Sequence, residues 1–195
     1  PRDPDLLETV LQRNPIFTKD PRALYLAARS GRLDWIQAIL QNNLDLKPDR
    51  RTLQEAILCG NVECAKFIFG LIENPADRKV DRKTILLAIQ ERQLDVIEFI
   101  LEKTQLKADF EMLDLAAASG DAAVFEIILR SNLQLTLTED TLWWVVHSGN
   151  ATFVEFFLNK YQHLKVNEKI LLAAVSAGVK NPEVLEMLLR RDPSL

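Results

Sequence analysis

Leu113-Asp114-Leu115-Ala116-Ala117-Ala118-Ser119-Gly120, followed after Asp121, Ala122 and Ala123 by Val124-Phe125-Glu126-Ile127-Ile128-Leu129, spells a short helix, a glycine turn and a second helix. Leu24-Tyr25-Leu26-Ala27-Ala28-Arg29-Ser30-Gly31 with Leu33-Asp34-Trp35-Ile36-Gln37-Ala38-Ile39-Leu40 spells the same unit near the other end. The unit recurs on a ladder. Gly31, Gly60, Gly120, Gly149 and Gly178 are separated by 29, 60, 29 and 29 residues, and Arg92 divides the long gap into 32 and 28. Eleven residues before each rung stands a helix-capping type: Asp20, Asp49, Asp81, Asp109, Thr138 and Asn167. Each is read as an N-cap, its side-chain oxygen accepting from free N–H groups of a helix start. Pro21 after Asp20 stands where its missing N–H costs nothing.

The second helix closes on Leu40, Phe69, Leu101, Leu129, Leu158 and Leu189. Asp3-Pro4-Asp5-Leu6-Leu7-Glu8-Thr9-Val10-Leu11 matches Asn181-Pro182-Glu183-Val184-Leu185-Glu186-Met187-Leu188-Leu189, so the N-terminus carries a second helix without its first. The organisation expected is one repeat domain over 1–195, with a leading half-repeat at 3–17 and helix pairs at 20–48, 49–80, 81–108, 109–137, 138–166 and 167–195. One helix pair cannot cover its own apolar face, whereas stacking buries a continuous core. Ala27, Ala56, Ala88 and Ala116 are expected where helices approach closely, with Ile39, Ile68, Ile100 and Ile128 filling the space behind. The predicted fold class is all-α, an α-solenoid of stacked helix-turn-helix repeats whose stability sums repeat and nearest-neighbour terms.

These strings resemble ankyrin-type repeats, in which a helix rich in leucine and alanine leads through a glycine into a second helix ending in Leu-Leu. The resemblance covers nearly the whole chain. The family's Thr-Pro-Leu-His opening is absent, and the period of 28 to 32 is shorter than the family's 33. The shortfall lies between repeats, where ankyrins project a β-hairpin, so short loops are expected in its place. Hairpin-poor ankyrin-like arrays of fungi and bacterial effectors are similar in spacing. The resemblance implies a scaffold that binds protein partners through its inner face and inter-repeat edge.

Composition agrees with a folded, non-membrane chain: 48 % hydrophobic, 27 % charged and net charge −4. Such a balance does not suit a general polyanion binder. No apolar run approaches the roughly 20 residues of a membrane span. Cys59 and Cys64 are the only cysteines, too few for a disulfide framework, and indicate an intracellular, cytoplasmic setting, which a secreted effector acting inside a host cell would share. Beginning Pro1-Arg2-Asp3-Pro4, the chain reads as an excised fragment, with neighbouring repeats or a second copy expected to cover at least one end.

No catalytic or cofactor motif is recognisable. His147 and His163 are the only histidines, and Cys59 and Cys64 have no second pair, so neither metal nor cofactor is expected and the cysteines are read as small buried thiols. Glu8, Glu98, Glu126, Glu155 and Glu186 share one register and are read as a solvated outer face. The expectation is a non-catalytic protein-binding module; a small-molecule ligand is not expected. The alternatives are a structural spacer or oligomerisation segment and, further off, a nucleic-acid-processing helical repeat.

Two anomalies mark where a partner binds. The first two helix positions after each cap are Pro21-Arg22, Arg50-Arg51, Arg82-Lys83, Phe110-Glu111, Glu139-Asp140 and Glu168-Lys169: basic early and mainly acidic late. Helix N-termini favour negative side chains, so the basic pairs oppose the macrodipole. Arg22, Arg50, Arg51, Arg82 and Lys83, extended by Arg78, Lys79 and Arg29, are the candidate ridge for an acidic partner segment. The second anomaly is Trp143-Trp144. Trp144 shares a register with Leu26, Leu87, Leu115 and Leu172 and is expected in the core. Trp143, with His147 one turn beyond it, is the candidate for the inner surface.

Overall fold

The computed structural model describes residues 20–178 and 182–191; the leading half-repeat at 3–17, with its Leu6, Leu7, Glu8, Val10 and Leu11, lies outside them. No strand occurs among the described residues. Among the described residues twelve α-helices follow one another in pairs: α1 (Pro21–Arg29) with α2 (Leu33–Asn42), α3 (Arg50–Leu58) with α4 (Val62–Leu71), α5 (Arg82–Gln90) with α6 (Leu94–Lys103), α7 (Phe110–Ser119) with α8 (Ala122–Ser131), α9 (Glu139–His147) with α10 (Ala151–Lys160), and α11 (Glu168–Gly178) with α12 (Pro182–Arg191). A 3₁₀ turn, Pro75–Arg78, occupies the long connection before α5. The chain forms two compact units, Pro1–Ala88 with Asp95–Leu106, and Ile89–Leu94 with Lys107–Leu195.

Every rung of the cap ladder is occupied as read. Asp20 accepts from Arg22 N–H, Asp49 from Thr52, Asp81 from Thr84, Asp109 from Met112, Thr138 from Thr141 and Asn167 from Ile170. Such caps contribute about 1 kcal/mol each. Thr52 and Thr141 complete capping boxes by accepting in return from the backbone N–H of Asp49 and Thr138. Thr52, Thr84 and Thr141 are the buried polar side chains of the molecule's described part; the boxes satisfy Thr52 and Thr141, and the Thr84 hydroxyl donates to Asp81 at 2.6 Å.

The glycine ladder is equally regular. The N–H of Gly31, Gly60, Arg92, Gly120 and Gly149 each donates to the carbonyl three residues back, and all five residues have φ between 55° and 77°. Arg92 is the non-glycine residue with positive φ, so it holds glycine's place in conformation as well as in spacing. For a residue with a Cβ that region costs roughly 1–2 kcal/mol, against about 0.5–1 kcal/mol of extra unfolded-state entropy for glycine. Arg92→Gly is therefore expected to raise stability by about 0.5–1 kcal/mol in denaturant unfolding; a loss would mean that the arginine side chain holds the turn.

Asparagines tie successive pairs together within each unit. Asn61 Oδ1 caps α4 while its Nδ2 donates 2.9 Å to the Gly31 carbonyl; Asn150 caps α10 and donates 2.8 Å to the Gly120 carbonyl. Close approach is the second reason for glycine: a Cβ at residue 120 would lie 3.2 Å from Asn150 Cβ.

The first helices α1, α3, α5, α7 and α9 bury the third, fourth, seventh and eighth positions, as in Ala23, Leu24, Ala27 and Ala28 of α1 or Thr141, Leu142, Val145 and Val146 of α9; α11 buries Ile170, Ala173 and Ala174 instead. The fifth and sixth positions, between these stripes, face outward. The four expected alanines and the four isoleucines are all buried. In the second unit the core around α8 and α10 is aromatic: Phe125 meets Phe153, Phe157 and Tyr161 edge-on at 5.7, 5.5 and 6.5 Å between ring centroids. Glu98, Glu155 and Glu186 are exposed, but Glu126 corrects the solvated-face reading. Its carboxylate accepts from Tyr161 Oη at 2.6 Å and Lys160 Nζ at 2.7 Å, beside that aromatic cluster.

Candidate partner-binding surface

In the first unit the basic residues interlock with the caps. Arg22 pairs with its own cap Asp20 at 2.7 Å. Arg51 lies 4.7 Å above the Tyr25 ring, whose hydroxyl donates to Asp49. Arg50 acts on Asp81, which also accepts from Gln54 at 2.7 Å. Arg82 and Lys83 are exposed, and Arg29 stands 4.0 Å from Glu55. In α1, α3 and α5 the helix-dipole conflict is thereby eased, since a cap aspartate already supplies negative charge and the following cations offset it; α7 differs, with Glu111 after Asp109. Where the cap is neutral, at Thr138 and Asn167, the first turn carries Glu139, Asp140 and Glu168 instead.

Burial opposes the charge on Asp49, but hydrogen bonds from Thr52 and Tyr25 outweigh it and hold the carboxyl below its ordinary range. Asp81 is likewise lowered against burial, by Thr84, by the Arg50 charge and by Gln54. A pKa lower folded than unfolded gives stability present above the unfolded pKa and lost as pH falls through the folded one. The first unit should thus weaken in acid as these carboxyls protonate. Asp49→Asn with Asp81→Asn keeps a capping oxygen without titration, and is expected to flatten stability between about pH 5 and pH 2. An unchanged acid profile of the double variant would assign the sensitivity elsewhere.

Trp144 departs from the sequence expectation. It is half-buried, and its register is the open sixth position of the first helices α1 to α9, where Leu26 is 59 % exposed; in α11 the buried stripe is shifted by one residue and the open place falls to Leu172, 62 % exposed. The leucines suggested a core column, but Glu55 occupies the same register and was the signal against that. Trp143 is also half-buried and His147 exposed. The imidazole stacks on Trp143 at 4.8 Å and 8°, and the Trp144 ring stands edge-on to Trp143 at 4.7 Å. The three rings form one outward cluster on α9.

That cluster borders a shallow groove of about 360 Å³ in the second unit, lined by Glu111, Asp114, Leu115, Ala118 and Trp144. Sequence reading missed Asp114, Leu115 and Ala118, because alternation with leucine looked like packing. Burial and the nearby Asp140 charge push the Asp114 carboxyl above its ordinary range, against the polarity of the neighbouring Trp144 indole. Asp140 is itself paired with Lys169 at 2.6 Å.

In the first unit a wider hollow of about 660 Å³ lies under the 3₁₀ turn, with Phe69, Arg78, Lys79, Val80 and Lys103 in its wall. Arg78 is fixed there, 5.1 Å above Phe69 and donating Nε to the Ile72 carbonyl. The cysteines have structural roles. Cys59 takes the position of Ser30, Ser119 and Ser148, all of which donate to the carbonyl three residues back. Burial pushes the Cys64 thiol up to about 11, which keeps it protonated and unreactive. Among the described residues no cluster of His, Cys, Asp and Glu could hold a metal ion, and no helix is long and apolar enough to cross a membrane.

No protein-family model matches the sequence, and no curated protein matches it. Among solved structures, the crystal structure of the human ASB11 ankyrin repeat domain is similar with a TM-score of 0.61 and 21 % identity, over 87 % of this chain and 83 % of that one. The fold is therefore that of an ankyrin-type repeat array, an α-solenoid of helix pairs.

Proposed function

We propose that this chain is a non-catalytic protein-binding module, working inside a cell, that receives its partner on the open face of the first helices and on the charged edge at their N-termini. The observation that carries the reading is an outward apolar column in the second unit. Leu115, Trp144 and Leu172 are large apolar side chains placed outward on helices whose own cores are already filled. A helix buries its apolar stripe once, so a second apolar column on its outer side is surplus to folding and suited to a partner. Arg22, Arg29, Arg50, Arg51, Arg82 and Lys83 supply a cationic edge that would steer an acidic segment, and Trp143 with His147 an aromatic contact.

A spacer gains nothing from this column. A nucleic-acid-processing role fits poorly with Glu111, Asp114 and Asp140 around the aromatic site, since phosphates would be repelled. The test is capture from the source cell, identification of the bound protein, and titration of that purified protein against the wild type and Trp144→Ser with Leu172→Ser. Loss of binding with unchanged helical content supports the reading. No specific partner, or a partner indifferent to both this pair and the edge cations, supports the spacer.

A further inference from the structure

We infer that the groove of the second unit receives an arginine-bearing, otherwise apolar segment of a partner, with the guanidinium on Trp144 and Asp114 and a neighbouring apolar side chain on Leu115 and Ala118. The inference deepens the protein-binding reading and rests on it. Four observations converge. The groove is sized for one or two side chains, at about 360 Å³. Its floor, Leu115 and Ala118, is apolar and half-buried, and continues a column across packed helices α7, α9 and α11 to the exposed Leu172. Its wall is the Trp144 indole, fixed at its edge by Trp143. Its polar end is Asp114, which has no ion pair among the described residues, while the neighbouring Asp140 is already held by Lys169.

An aromatic face beside a carboxylate on an apolar floor selects a particular cation. Guanidinium is planar, less strongly hydrated than ammonium, and able both to stack on indole and to pair two-pronged with carboxylate. Lysine satisfies only the charge. An acidic segment or a phosphate backbone would face Glu111, Asp114 and Asp140 together. Asp114 is the group that gains most, since burial and Asp140 disfavour its charge and a bound cation would reverse that.

The site therefore has the opposite sign to the basic edge of the first unit, so one chain offers two chemically distinct contacts. A random heptapeptide phage library panned on the purified chain at low salt tests this. Enriched peptides are resynthesised and titrated by tryptophan fluorescence and calorimetry. The expected result is enrichment of arginine next to leucine, isoleucine, valine or phenylalanine. Affinity should fall about tenfold or more on Asp114→Asn and on Trp144→Leu, and change less than about twofold on Lys66→Glu, an exposed cation of the first unit outside both surfaces. Asp114→Asn is isosteric, so the fold is kept and circular dichroism checks it. Arginine peptides indifferent to Asp114→Asn overturn the proposal, as does recovery of no peptide. Acidic peptides that are lost on Arg50→Glu with Arg51→Glu overturn it too, but leave the protein-binding reading standing. So does self-association of the chain that disappears on Asp114→Asn, which would make the occupant a second copy. If no peptide is recovered, capture of the natural partner still decides the broader reading independently.

Discussion

Truncating Phe125 to alanine is expected to lower the stability of the second unit by about 3–5 kcal/mol, the usual loss for a fully buried phenylalanine. Phe125 is completely buried and touches three other rings, Phe153, Phe157 and Tyr161, from the adjacent pair. Its removal leaves a cavity that these rings can close only by abandoning their edge-on geometry. Tyr161 would also loosen from Glu126, so a half-buried hydrogen bond weakens together with the packing. In a repeat array each pair is stabilised by its neighbours, so this loss is expected to split unfolding into separate steps. The tryptophans report the two units separately, Trp35 in the first, Trp143 and Trp144 in the second. In denaturant titrations of single-tryptophan variants, the second unit's transition should move to lower concentration while the Trp35 signal shifts less. Phe110→Ala, at a side chain already 51 % exposed, should change stability by less than about 1 kcal/mol. Equal effects at Phe110 and Phe125 would mean that the aromatic cluster is not the unit's core.

The repeat architecture was legible because its signals are local and periodic. A cap, a glycine turn and two short apolar stripes are each set by neighbouring residues. Spacing alone therefore located all six caps and showed that Arg92 stands in for glycine. The surface was less legible because register gives the side of a helix only when the buried stripe is known. Trp144 was assigned to the core on four leucines, yet the helix buries the positions on either side of that column and leaves the column itself open. Glu126 was missed for the opposite reason. Its partners Lys160 and Tyr161 lie in the following repeat, and their contact is a tertiary fact. The basic column was visible as an anomaly, but its tie to cap chemistry needed the positions of Tyr25, Gln54 and Asp81. The groove at Asp114 required both helices α7 and α9 in place.

Reversing Arg50, Arg51, Arg82 and Lys83 together to glutamate is expected to slow association with an acidic partner by about tenfold or more at low salt, and to remove most of its salt dependence. Stability should change far less. Glutamate at a helix start gains roughly 0.3–1 kcal/mol from the dipole where no other negative charge is present. Here Asp49 and Asp81 already occupy the ends, and the reversal gives up the Arg51 stacking on Tyr25 and the Arg50 charge near Asp81. These losses are of similar size, so the net change should stay within about 1 kcal/mol and lie on the destabilising side. The cap interactions themselves survive, because they use backbone N–H groups and threonine hydroxyls that the reversal does not touch. Stopped-flow association at several ionic strengths, with parallel denaturant unfolding, separates the two effects. A large drop in rate with nearly constant stability identifies the edge as a steering surface. Affinity and salt dependence unchanged at low salt would mean that the cations serve only to offset the capping aspartates, and that recognition belongs to the open face around Trp144.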